Sequence, residues 1–160
     1  IYNIPGRSIV DLSFDSFKEL NKFSNIVGIK DASNDLSRPL LMRSFMKNNF
    51  NYLSGEDGTI AGFLAQGGHG CISVAGNVAP KLTSELHKSW KDGKLKIFDK
   101  INMQLAPLSY VLFQEPNPTP TKYALSQMGF CTEEVRAPLI ELSTQTKKDI
   151  KRVLKVLKLI

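Results

Sequence analysis

The sequence predicts an α/β protein with a parallel sheet over residues 1–92 and an all-helical extension over residues 93–160. Four short apolar runs, 1–4, 26–29, 52–53 and 71–75, recur at intervals of about 20–26 residues, each leading through a loop into helical periodicity. The runs are short and nearly all apolar, as parallel strands covered on both faces are. After Gly93 the alternation stops and only helical periodicity continues.

The first run, Ile1-Tyr2-Asn3-Ile4, is followed by Ser13-Phe14-Asp15-Ser16-Phe17-Lys18-Glu19-Leu20. Ser13 suits an N-cap, Phe14, Phe17 and Leu20 share a face, and Asp15 and Glu19 suit the early turns. The second run leads into a helix expected over 35–48, with Ser37 as cap, Pro39 in the first turn, and Leu41, Phe45 and Met46 as its buried stripe. The third run passes through Gly55-Glu56-Asp57-Gly58 into a helix over 59–66, stopped by Gly67-Gly68. The fourth passes through Gly76-Asn77 into a helix over 79–92, stopped by Gly93. Helices over about 95–112, 122–129 and 144–159 complete the chain, and Glu115-Pro116-Asn117-Pro118-Thr119-Pro120 reads as a stiff non-helical connector.

Of the 160 residues 42% are hydrophobic, 22% charged and 9% aromatic, a globular composition that excludes disordered and fibrous classes. No apolar run approaches the ~20 residues of a membrane helix, and no charged and apolar leader opens the chain. The expectation is a cytoplasmic protein with no membrane partner. Cys71 and Cys131 sit in no CxxC or Cys/His cluster and read as reduced thiols, and no structural zinc is expected. The start at Ile1, inside an apolar run, suggests a chain that begins in mid-fold. Much of the net charge of +6 lies in Lys147, Lys148, Lys151, Arg152, Lys155 and Lys158, alternating with Ile150, Val153, Leu154 and Leu157. That pattern is the solvated face of an amphipathic helix, with none of the interleaved aromatics of a nucleic-acid surface.

In parallel α/β folds the chemistry sits just past the carboxyl ends of the strands. Those positions hold Tyr2 and, through the Pro5-Gly6 turn, Arg7; then Gly28-Ile29-Lys30-Asp31; then Ser54-Gly55-Glu56-Asp57; then Ile72-Ser73-Val74. Lys30 is either a strand-end residue reaching water or an amine held in a barrel mouth, where desolvation lowers its pKa and readies it to attack a carbonyl. Tyr2 is either core filler or a phenol that relays protons. Arg7 is either a surface turn residue or a planar fork for a substrate carboxylate. Gly67-Gly68-His69-Gly70 precedes a strand and lacks a following Lys-Ser/Thr, so it is no phosphate loop. His69 and His87 lack ligand-spaced partners and the acidic residues are scattered over two loops, so no metal site is expected.

Taken together, residues 2–7 (Tyr-Asn-Ile-Pro-Gly-Arg), 27–32 (Val-Gly-Ile-Lys-Asp-Ala), 54–57, 67–74 and 115–122 resemble, in family order, the dihydrodipicolinate synthase branch of the pyruvate-dependent Schiff-base aldolases. The lysine and tyrosine blocks mark the superfamily; Arg7 and the Glu-Pro-Asn-Pro block mark the synthase branch. The resemblance implies the C-terminal half of a (β/α)8 TIM barrel, strands 5 to 8, over 1–92, followed by a C-terminal helical domain over 93–160. It implies a lyase that condenses pyruvate with aspartate 4-semialdehyde through a Schiff base on Lys30, in lysine and diaminopimelate biosynthesis. Tyr2 would relay protons, Arg7 would hold the semialdehyde carboxylate, the Ile72 carbonyl would position pyruvate, and Ser54 and Gly55 would line the pocket. No cofactor is implied.

The family is usually tetrameric, so a homo-oligomer is expected, and the other partner is the N-terminal half of the barrel. That half would carry a threonine pair that contacts pyruvate, a second relay tyrosine and the lysine-feedback site, so this chain alone is expected to be inactive. Ser8, Glu56 and Cys71 depart from the usual threonine, aspartate and valine, and none of these changes removes a reacting group. The readings this leaves open are another aldolase of the superfamily, a sialic acid lyase or keto-sugar aldolase that would lack Arg7, and a non-catalytic half-barrel serving as a remnant or interaction module.

Overall fold

A computed structural model describes residues 1–160. The chain divides into two compact units, Ile1–Ser73 and Val74–Ile160. The first unit holds a four-stranded parallel sheet in sequential order: β1 (Tyr2–Asn3), β2 (Gly28–Asp31), β3 (Asn51–Ser54) and β4 (Gly70–Cys71). The connections carry α1 (Pro5–Ser8) and α2 (Phe14–Leu20), then α3 (Arg38–Arg43), then α4 (Ile60–Ala65). The second unit is helical: α5 (Ala75–Val78), α6 (Pro80–Lys91), α7 (Leu95–Val111), α8 (Thr119–Gln127) and α9 (Thr144–Val156). The division expected at 92/93 falls inside the second unit, where α6 packs along α7.

The sheet register sorts the side chains. Tyr2 aligns with Lys30, Lys30 with Leu53 and Leu53 with Gly70; one step on, Asn3, Asp31, Ser54 and Cys71 align. Because successive strand residues point to opposite faces, Ile29, Asp31, Tyr52 and Ser54 share the face that the helices cover, and all are buried. Ile29 and Tyr52 join Phe17 of α2, Met42 of α3, Met46, Phe50 and Phe63 of α4 in one apolar core. Tyr2, Lys30 and Leu53 occupy the other face, and none of them is buried.

Local chemistry accounts for the element ends. The Ser13 hydroxyl accepts from the Ser16 amide and caps α2, and Gly67, at φ +88°, follows the end of α4. β2 begins at Gly28 rather than Ile26, because the Ile26 amide is spent in a turn on the Phe23 carbonyl. It then runs to Asp31, so Lys30 lies within the strand and not beyond it. The fourth strand stops at Cys71 rather than Ala75: after the Ile72 amide bonds the Ser54 carbonyl, the Asn77 amide bonds the Val74 carbonyl and α5 begins. α3 is shorter than the expected 35–48, and Ser37 does not cap it; the Asp35 carboxylate instead accepts from the Ser37 amide and hydroxyl. The rigid connector ends at Pro118, since Pro120 fits the first turn of α8, where its missing N–H costs nothing. α1, a single turn opened by Pro5, is too short to show periodicity, and the sequence predicts only a turn there.

Candidate active site

β1 and β2 place Tyr2 and Lys30 side by side at the carboxyl end of the sheet, on the face opposite the α2–α4 core. The Lys30 Nζ sits 4.1 Å from the Tyr2 ring centroid. Such a cation–π contact is worth about 0.5–1 kcal/mol at an accessible site, enough to bias the lysine toward one rotamer. Gly55, just past β3, makes room for it: a Cβ there would stand 2.8 Å from the Ala32 Cβ and 3.1 Å from the Lys30 Cε. The Gly55 amide donates to the Asp31 carbonyl at 2.6 Å, tying the β3 loop to the end of β2. The structure thus brings Tyr2, Lys30 and Gly55 together.

Arg7 lies in the last turn of α1 and is exposed. Burial, and then the Asp57 carboxylate, raise the Glu56 carboxyl above its ordinary range, while Lys30 and Arg7 both act to lower it. Glu56 is itself positioned by Ser54, whose hydroxyl accepts from the Glu56 amide and donates to its carbonyl. Ile72 lies just beyond the end of β4, and its side chain is exposed. No hydrogen bond, ion pair or ring contact joins Arg7 or Ile72 to the Tyr2–Lys30 pair.

His69, weighed in the sequence only as a metal ligand, and Arg38, which the sequence did not single out, both hold the strands together. The Nδ1 of His69 accepts from the Tyr52 amide while the His69 amide donates to the Tyr52 carbonyl, which sets up the β3–β4 pairing. Below the sheet, the Arg38 Nε donates to Asp31 Oδ2 at 2.9 Å, Nη1 to Asp11 Oδ2 at 3.0 Å and Nη2 to the Leu12 carbonyl at 2.9 Å. Asn3 joins them, its Nδ2 donating to Asp11 Oδ1 at 2.8 Å and its Oδ1 accepting from the Leu12 amide at 3.2 Å. One sequence signal pointed there: a cation at the start of a helix opposes the helix dipole, so Arg38 needs a carboxylate partner to hold it in place.

Residues 1–157 match the model of the Dihydrodipicolinate synthetase family. The 4-hydroxy-tetrahydrodipicolinate synthase of Bradyrhizobium diazoefficiens is 47% identical over 147 residues, which cover 92% of this chain and 50% of that protein. The crystal structure of dihydrodipicolinate synthase from Aquifex aeolicus superposes with a TM-score of 0.95 at 36% identity, covering 99% of this chain and 55% of that one. The chloride-inhibited enzyme of Acinetobacter baumannii, solved in complex with pyruvate, superposes with a TM-score of 0.92 at 36% identity, covering 99% and 55%. The chain spans about half the length of the curated relatives it matches.

Proposed function

Because the chain belongs to the dihydrodipicolinate synthetase family, we propose that it forms strands 5 to 8 and the helical tail of a (β/α)8-barrel 4-hydroxy-tetrahydrodipicolinate synthase. The reaction is the condensation of pyruvate with aspartate 4-semialdehyde, a step of lysine and diaminopimelate biosynthesis in the cytoplasm. The chain works with the other half of the barrel, is inactive without it, and assembles with it into a homo-oligomer. The observation that carries this reading is the pairing of Tyr2 with Lys30 on the open face of the sheet, over the space that Gly55 leaves.

The Lys30 amine adds to the keto carbon of pyruvate, and the keto oxygen leaves as water to give an imine. Loss of a methyl proton converts the imine to an enamine. Its nucleophilic carbon bonds to the aldehyde carbon of the semialdehyde, whose oxygen takes up a proton and becomes a hydroxyl. The amino group of the semialdehyde then displaces Lys30, closing the ring and freeing the amine. The Tyr2 hydroxyl, carried on the ring against which Lys30 rests, moves protons to and from the oxygen that departs. Arg7 binds the semialdehyde carboxylate, and Ile72 supplies a carbonyl that orients pyruvate.

Arg7 separates the synthase from its relatives. A guanidinium–carboxylate pair in a partly dry mouth is worth on the order of 1.5–3 kcal/mol, about one to two powers of ten in affinity. In the assembled enzyme Arg7→Ala is expected to leave borohydride trapping of pyruvate intact and to weaken the use of aspartate 4-semialdehyde by that factor. Arg7→Lys should rescue only partly, since it lacks the planar fork. Collapse of pyruvate trapping with unchanged semialdehyde dependence would make Arg7 a turn residue and remove the synthase assignment.

A further inference from the structure

We infer that Arg38 is a positioning residue for the Lys30–Tyr2 pair: from beneath the sheet it clamps β2 to the β1 loop, one residue beyond each member of the pair. The inference rests on the reaction proposed above for its consequence in catalysis, and on geometry alone for its consequence in placement. Arg38 is 4% exposed, and its guanidinium reaches three acceptors on two segments: Asp31 in β2, and Asp11 and the Leu12 carbonyl after α1. Asn3 binds the same Asp11 and Leu12, so β1 is drawn into the network. Asn3 and Asp31 are register partners, and the residues before them are Tyr2 and Lys30.

This clamp has work to do because β1 is two residues long. Besides the bonds between the paired strand residues themselves, its ladder to β2 includes the Ile1 amine on the Gly28 carbonyl, the Lys30 amide on the Ile1 carbonyl and the Ala32 amide on the Asn3 carbonyl. A slip of one residue would carry Tyr2 to the covered face and away from Lys30. The guanidinium opposes such a slip as a rigid body. Its carbon lies 5.1 Å from the Phe14 ring centroid and 5.6 Å from that of Phe17, so the plane of the fork is held as well as its charge. A lysine would keep the charge and lose the fork.

The test compares Arg38→Lys with wild type in the assembled enzyme. Its turnover is expected to fall about 10–10²-fold, the loss that a displacement of about 1 Å causes, with the KM for pyruvate little changed. Tyr2→Phe should cost much less in the Arg38→Lys background than in wild type, because the hydroxyl is already misplaced. A purely structural arginine would lower thermal stability and leave the cost of Tyr2→Phe the same in both backgrounds, which would overturn the inference. A second readout needs no reaction: the Lys30 side-chain protons, lying on the Tyr2 ring, should show an upfield ring-current shift by NMR that Arg38→Lys abolishes. Asp11→Asn, with a half-exposed side chain of unchanged shape, makes the same measurements if Arg38→Lys does not fold. Retention of the ring-current shift in the folded variant contradicts the clamp. Its loss, in an enzyme whose wild type traps no pyruvate, supports the clamp and refutes the proposed reaction.

Discussion

Gly55 defines how much space the Lys30 stem has. The Cβ of Gly55→Ala would lie 2.8 Å from the Ala32 Cβ and 3.1 Å from the Lys30 Cε, and of the two only the lysine methylene can swing away. The clash with Ala32 should lower the melting temperature, and displacement of Lys30 by a few tenths of an ångström should slow formation of the pyruvate adduct about tenfold; stopped-time borohydride trapping of the folded variant checks this, and an unchanged rate would free Lys30 from dependence on Gly55. The two thiols differ for an equally local reason. Burial first, and then the Asp57 carboxylate, push the Cys71 thiol up to about 11, whereas Cys131 is exposed. Since the thiolate is the nucleophile, iodoacetamide at pH 8 should label Cys131 well before Cys71, with Cys71 labelling rising steadily as pH approaches 11. Peptide mapping reads both sites in one digest, and faster labelling at Cys71 would contradict the shift.

At the scale of elements, the exit from α1 holds the one β-branched residue in a left-handed conformation. Ile9 closes that turn at φ 61° with its side chain 85% exposed, so it bears the steric cost of the conformation with almost no packing in return. Ile9→Asn, which tolerates this region, should stabilise the assembled protein by about 1 kcal/mol, seen as a rise in its melting temperature; an unchanged or lower melting temperature would show that Ile9 is held by contacts elsewhere. The longer helices and the centres of the strands were legible in the sequence because their apolar residues recur at 3.6 or mark short buried runs. Phe14 and Phe17 of α2, and the stop of α6 shortly before Gly93, are examples. What was not legible is short or polar. α1 has one turn and so no period, β4 yields to α5 through a turn of two backbone bonds, and Pro120 reads as a breaker until its place in a first turn is known. In the site, Tyr2, Lys30 and Gly55 could be picked out because they stand at strand ends. Arg38 offered only the signal of a cation at a helix start and Asn3 none, because their partners depend on which loops the sheet brings beneath them.

At the scale of the whole molecule, a parallel sheet of four strands has β1 and β4 at its edges and one face carrying Tyr2, Lys30 and Leu53, none of them buried. Unpaired edges and a half-open face are what the other half of a barrel would cover, consistent with a chain that spans half the length of its relatives. On the function proposed above, this half carries the reacting amine. The most direct measurement is mass spectrometry of the assembled enzyme after incubation with pyruvate and borohydride, followed by digestion. One reduced pyruvate should be found on the peptide containing Lys30, and Lys30→Ala should abolish it; an adduct that persists in Lys30→Ala, or that maps to another lysine, would contradict the account.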